Sequence, residues 1–277
     1  QGAALPASDW PRVLATRIEQ FEPAMLDELS VAGEVLWQGR ESIGPTDGRV
    51  ALYLTDHAAR LMPETLEVTD ELERQIEQLL AAKGALLFDE IAREIGAFPN
   101  DVLDALWRLV WTGHVTNDTF APLRSLLSGG KKSTSRRSRT SFRSRRRKRL
   151  PGSEGRWSLL ANELTATERQ TAQAMQLLER HGVVTREVVA SEGIVGRFSG
   201  IYPIYKAMEE AGRVRRGYFI AGQGAAQFAA PGAEDRLRDR QDEDQAAPAI
   251  VLAATDPANP YGTAIKWPET SDESIRP

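Results

Sequence analysis

The sequence predicts an α+β fold, mainly α with small β-hairpins: tandem winged-helix domains, with the start of a small β-barrel at the C-terminus. Three observations carry this. Apolar residues recur at helical spacing in successive blocks, each closing on a glycine and running into a strand-forming stretch. The closing junction has one form, helix-Gly-polar-Val, at Ala32-Gly33-Glu34-Val35, Thr112-Gly113-His114-Val115 and Ala211-Gly212-Arg213-Val214. The junctions lie 80 and then 99 residues apart, or 76 when a 23-residue basic run is set aside. A period near 78 suits tandem copies of a small domain.

The first segment, 1–66, reads as a partial copy. Pro23–Ala32 is its third helix, Gly33 the cap, and Glu34–Trp37 and Arg49–Leu54 a hairpin around Gly44–Gly48. In the second domain, 67–127, Leu72, Ile76, Leu79 and Leu80 form the stripe of an amphipathic helix that Gly84 stops. Leu87–Ile95 is a short helix closed by Gly96. Pro99 opens the next, because its missing N–H would be unpaired in a first turn anyway. Val102, Leu103, Leu106, Leu109 and Val110 face inward there, and His114-Val115-Thr116 begins a strand. Residues 128–150 are a disordered basic linker, too poor in apolar residues to bury a core.

The third domain, 151–232, repeats the plan. Thr165-Ala166-Thr167-Glu168 is a capping-box start. The helix it opens ends at His181-Gly182, Val183-Val184 is a short strand, and Thr185 caps a brief helix through Ser191. Phe198–Ala211 is the third helix, Arg213–Ile220 an alternating strand, Ala221–Gly224 a turn and Ala225–Ala229 the return strand. An acidic and arginine-rich linker, 233–248, follows. The barrel start, 249–277, opens on the apolar strand Ile250–Leu252.

Composition excludes several functions. No run approaches the roughly 18 apolar residues of a membrane helix, so no membrane partner is expected. The start has no signal-peptide pattern, and the absence of cysteine fits a reducing interior. His57, His114 and His181 have no metal-binding spacing, and nothing matches the phosphate loop GxxxxGK[ST]. No cofactor or metal is therefore expected in this chain. Without an initiator Met, the chain reads as a piece of a longer protein.

The net charge of −4 hides an asymmetry, since the run 128–150 holds eleven Lys/Arg and no acid. The remainder carries 24 basic against 39 acidic residues. Polyanion contact must therefore use local patches or the run itself. In the run the candidates are Arg136, Arg137, Arg145, Arg146 and Arg147, with a plain tether as the alternative. The third helix of a winged helix commonly enters the major groove while the ribbon touches backbone. In the last domain this points to Arg197, Ser199, Tyr202 and Lys206 on the helix, and to Arg213 and Arg215 on the ribbon; the alternative is a solvated face. Arg216 shares the ribbon face of Val214, Tyr218 and Ile220, so it is expected at the edge of the apolar side. In the second domain Asn100, Asp101 and Asp104 make the corresponding helix acidic, and Trp107 and Trp111, four apart on one face, read as core, with base stacking as the alternative. Asp256 reads as a turn residue, with a catalytic carboxylate as the alternative.

Longer blocks carry a resemblance. They are Gly196-Arg197-Phe198-Ser199-Gly200-Ile201-Tyr202-Pro203, Met208–Phe219, Gly224–Ala229 and Leu252-Ala253-Ala254-Thr255-Asp256-Pro257-Ala258-Asn259-Pro260-Tyr261-Gly262, with Trp267-Pro268 after them. Over about Glu154–Pro268 the chain resembles the C-terminal region of the Lhr family, the bacterial large helicase-related proteins of superfamily 2. The resemblance implies an ATP-dependent 3′-to-5′ DNA helicase and translocase associated with DNA repair, whose motor, with its ATP and Mg, precedes anything here. It also implies an array of winged helices and a small β-barrel similar to AlkZ/YcaQ-type DNA glycosylases. No catalytic residue is carried over, since most of that barrel is expected to lie outside this chain. The expected partners are DNA, single-stranded or duplex with a tail, and the helicase core of the same polypeptide. The expected location is cytoplasmic and nucleoid-associated, and homo-oligomerisation is left open. A glycosylase-like module and a protein-interaction scaffold are the rival readings.

Overall fold

The structure, a computed structural model, describes residues 1–63, 65, 67–129, 150–160, 165–194, 196–224, 226–241 and 251–267. The chain divides into two units, Gln1–Glu163 and Leu164–Pro277. The first unit holds two winged-helix domains, and the second unit holds one.

The first domain runs β1 (Ala4–Pro6), α1 (Trp10–Ala15), α2 (Pro23–Val31), β2 (Val35–Ser42) and β3 (Gly48–Leu54), followed by α3 (Thr55–Leu61). The second runs α4 (Glu71–Lys83), β4 (Leu86–Leu87), α5 (Phe88–Ile95), α6 (Pro99–Trp111), β5 (Val115–Asn117), α7 (Ala121–Ser128) and β6 (Arg156–Leu159). The third domain runs α8 (Ala166–His181), β7 (Val183–Val184), α9 (Arg186–Ser191), α10 (Arg197–Glu210), β8 (Arg215–Gly217) and β9 (Gln227–Ala229), with α11 (Ala233–Gln241) after it. Each sheet has three antiparallel strands in the same order, the last strand central: β1-β3-β2, β4-β6-β5 and β7-β9-β8.

The repeated junction is one hydrogen-bonded helix end made three times. Gly33, Gly113 and Gly212 have φ of 75°, 82° and 70°, the left-handed region where a side chain would be strained. After each glycine the next amide reaches back five residues: Glu34 N to Leu29 O, His114 N to Leu109 O and Arg213 N to Met208 O, at 2.9, 2.9 and 2.8 Å. The last helix carbonyls are thereby satisfied and the chain is aimed into a strand.

Strand β6 corrects the expected domain boundary. The sequence places residues 151–160 in the third domain, yet Leu86 pairs with Trp157, and Val115 with Leu159. The basic run is thus inserted between α7 and β6, inside the second domain. Trp157 is fully buried, edge-on to Trp107 with ring centroids 5.6 Å apart. The approach to β6 is held by Trp107 Nε1 to Gly152 O (3.2 Å), Asn117 Nδ2 to Glu154 O (2.9 Å) and Arg156 N to Asp118 Oδ1 (2.7 Å). The disorder expected of the run itself concerns 130–149, which lie outside the described residues.

In the first unit β2 lies directly on α6. A methyl group on Gly39 would sit 2.3 Å from the Val110 carbonyl oxygen, so only glycine permits this approach. Gln38 Nε2 donates to Gly113 O at 3.2 Å, and Thr116 Oγ1 to Trp37 O at 2.6 Å. Asp27 of α2 accepts from the Phe120 amide (2.7 Å) and pairs with Arg124 of α7. No described helix of the first domain corresponds to α4 or α8. The face those helices cover in the other copies is here an apolar groove of about 280 Å³, lined by Leu14, Ile18, Met25, Leu29, Leu52 and Leu54.

In the third domain Thr165 and Glu168 make the reciprocal cap of α8, and the Thr185 hydroxyl caps α9. Strand β8 stops at Gly217 instead of Ile220. The buried Gln227 side chain explains this: its Oε1 accepts from the Phe219 and Ile220 amides (2.9 and 2.8 Å), and its Nε2 donates to Ile220 O (2.9 Å). A side chain replaces the ladder, alternation ends, and Tyr218 is 81% exposed rather than on the apolar face. Two further expectations are corrected. The start of the stretch 233–248 is helix α11 rather than linker, while 242–250 lie outside the described residues. Val251 and Leu252 form no strand; among the described residues 251–267 the sole pairing is a bridge between Tyr261 and Ile265, and no barrel closes. No described helix is long and apolar enough to cross a membrane.

Candidate nucleic-acid interface

Helix α10 is anchored through one side only. Ile201 and Tyr205 are fully buried, and the Tyr205 hydroxyl donates to Ala174 O of α8 at 2.8 Å. Burial pushes the Tyr205 phenol above its ordinary value, so it stays a neutral donor. Phe198 and Tyr202 are half-buried around Phe228, with ring centroids 6.3 and 5.8 Å away. Ser199 and Lys206, seven residues apart and so on one side of the helix, are exposed; Arg197, four residues before Ile201, is exposed at the helix start. The 14 residues of α10 place Arg197 and Glu210 about 20 Å apart. The candidates are therefore spread along and around the helix and do not converge on a point. Arg197 has a φ of 52°, directly after Gly196 at 75°, so a left-handed pair starts the helix.

The ribbon divides its arginines. Arg213 is exposed and makes no ion pair among the described residues. Arg215, expected to act with it, is ion-paired with Glu234 at the start of α11. Arg216 lies against α10, donating to the Tyr202 hydroxyl at 3.3 Å and pairing with Glu209 at 3.5 Å. Tyr202 is thereby a packing residue with an engaged hydroxyl. Glu234 and Gln227 were missed by sequence reasoning; the one available signal was the acidic start of the stretch after Pro231.

The equivalent helices of the first unit are differently placed. Six side chains of α6 are buried, Val102, Ala105, Leu106, Trp107, Leu109 and Val110, because it packs both on its own domain and under β2. Trp107 and Trp111 stack with centroids 5.3 Å apart, as core. Arg108 pairs with Glu73. Helix α2 carries Asp27 and Glu28 and no basic residue. Arg136, Arg137, Arg145, Arg146 and Arg147 lie outside the described residues. Asp256 is buried and accepts from the Ala258 amide at 2.8 Å, a turn-closing role. Among the described residues no three His, Asp or Glu side chains gather as metal ligands.

Three copies of one three-stranded order, each with a helix feeding its ribbon, define a tandem winged-helix protein. Two family models, both described as winged-helix domains of the large helicase-related protein, match residues 1–55 and 163–249. Across its whole length the chain is 41% identical over 296 residues to the Lhr helicase/probable uracil glycosylase of Mycolicibacterium smegmatis, covering 20% of that relative. It is 36% identical over 293 residues to the Lhr helicase/uracil glycosylase of Escherichia coli, with 96% of this chain and 19% of that relative covered. The chain belongs to the Lhr family, to its C-terminal winged-helix region, and spans about a fifth of the length of the curated relatives it matches.

Proposed function

We propose that this chain is the DNA-binding winged-helix array of an ATP-dependent 3′-to-5′ helicase acting in DNA repair, holding or guiding DNA for a motor in the same polypeptide. ATP and Mg would act in that motor. The observation that carries the reading is the exposed basic and polar set at α10 and its exit: Arg197 at the helix start, Ser199 and Lys206 along it, the latter 3.9 Å from Glu210, and Arg213 after it with no ion pair among the described residues. Helix α6 exposes Asp101, Asp104 and an Arg108 that pairs with Glu73, so it offers no comparable basic face. The basic run adds sequence-independent phosphate contacts. Cytoplasmic, nucleoid-associated location follows from the same reading.

The test is the Arg197→Ala/Arg213→Ala double variant on a tailed duplex. It is expected to weaken binding by about 1–3 kcal/mol, nearly equally for all sequences, and to lower the log–log salt slope by about 0.9 for each phosphate no longer neutralised. Unchanged affinity and slope would sink the reading and favour a protein-interaction scaffold. The names of both relatives support a second reading, a base-excising module. It expects abasic sites to form in uracil-containing DNA.

A further inference from the structure

The segment after the third domain builds a platform that the winged-helix reading does not use. Asp256 N donates to Ala253 O and Asn259 N to Asp256 O, at 3.0 and 2.9 Å. Asn259 Oδ1 accepts from the Tyr261 amide at 3.1 Å, and Ile265 N reaches Pro260 O at 2.8 Å. These bonds close residues 253–265 into a compact turn. Ala264 and Ile265 pack into the core of the third domain, and Gln223, from the loop between β8 and β9, donates to Ala264 O. The turn is thus fixed to the ribbon's own connecting loop.

This construction holds two rings together on the surface. Tyr261 and Trp267 stack with centroids 5.7 Å apart and planes 25° from parallel. Gly262 permits it, since a Cβ there would lie 2.5 Å from Trp267 Nε1. Yet Tyr261 is 39% and Trp267 40% exposed, although burial is the ordinary fate of such rings. Exposed Lys266 lies between them in sequence, and residues 257–267 contain no acid. A pre-stacked aromatic pair with a cation beside it, continuous with a ribbon loop, has the chemistry that single-stranded nucleic acid uses: bases stack and phosphates find the cation.

We infer that Tyr261 and Trp267 form a stacking platform for an unpaired base of single-stranded DNA, with Lys266 on its phosphate. The inference rests on the DNA-binding reading above and adds a second, strand-state-selective site to it. A blunt duplex offers no free base face and does not use the platform.

The experiment compares labelled oligothymidylate, an abasic strand of equal length and a blunt duplex by fluorescence anisotropy. The wild-type chain is expected to prefer oligothymidylate over the abasic strand. Trp267→Ala is expected to weaken oligothymidylate binding about tenfold and abolish that preference, leaving abasic-strand and duplex binding unchanged. Trp267→Phe keeps most of the preference. Unaltered abasic-strand binding shows that the variant is folded; if Trp267→Ala loses all binding, Tyr261→Ala and Trp267→Phe decide the same comparison. A preference that persists in Trp267→Ala overturns the platform. So does a wild-type chain that binds duplex through Arg197 and Arg213 but treats both single strands alike. A chain that binds no DNA overturns the parent reading instead.

Discussion

Glu192 shows how a single side chain can tie two helices of the third domain. One carboxylate oxygen pairs with Arg180 and the other lies 2.9 Å from His181 Nε2, joining the end of α8 to the end of α9. Burial opposes its ionisation, but the hydrogen bonds from His181 and Arg180 outweigh that and hold the carboxyl below its ordinary 4.5. A carboxyl lowered by folding stabilises above its unfolded value and loses that contribution as pH falls through its folded one. Glu192→Gln should therefore cost about 1–3 kcal/mol in urea unfolding at neutral pH. The gap between variant and wild type should narrow as pH is lowered below 4.5; a gap that stays constant on acidification would refute the assignment. At this scale the sequence was legible where the cause is local, as with the Thr165 and Thr185 caps. It was not legible where the partner is remote. Alternation puts Arg213 and Arg215 on one face, but Glu234 lies 19 residues beyond Arg215 and takes that guanidinium out of the free set.

Helices were readable because each ends in its own chemistry. Gly33, Gly113 and Gly212 mark left-handed exits that any reader of a 3.6-residue period can find. The strands were harder. Strand β6 is four residues long and pairs with β4 and β5 across a charged insertion, so no local pattern joins it to its partners. Likewise β8 is shortened by Gln227, a residue of the strand it pairs with rather than of its own. The packing of β2 on α6 was equally hidden, because a glycine in a strand announces close approach without naming what approaches. Gly39→Ala tests that approach: it should destabilise the first unit by about 1–3 kcal/mol, since the Val110 carbonyl is backbone and cannot swing away. Thermal melts of this variant that match the wild type would mean the two domains of the unit do not depend on each other.

Taken whole, the sequence contains no match to the phosphate loop GxxxxGK[ST]. The purified chain is expected to hydrolyse no ATP, with or without DNA; DNA-stimulated release of phosphate would overturn this. The basic run can be tested without shortening its connection, by replacing Lys131–Arg149 with a Gly/Ser stretch of equal length. DNA binding should weaken and its salt dependence flatten, by about 0.9 in slope for every phosphate the run neutralises, while the melting temperature stays nearly unchanged.

Because β6 returns to a sheet begun before the basic run, the second domain is written in two pieces of sequence. What joins the two pieces in the described residues is the ladder from Leu86 and Val115 to β6 and the buried indole of Trp157. Two separately expressed polypeptides, 1–139 and 140–277, should therefore recognise each other and reassemble. The second would carry Trp157 as an anchor into the core left open by the first. Co-purification of the halves through a tag on one, and its loss with Trp157→Ala, would make this domain a self-complementing split protein whose joint is a single strand.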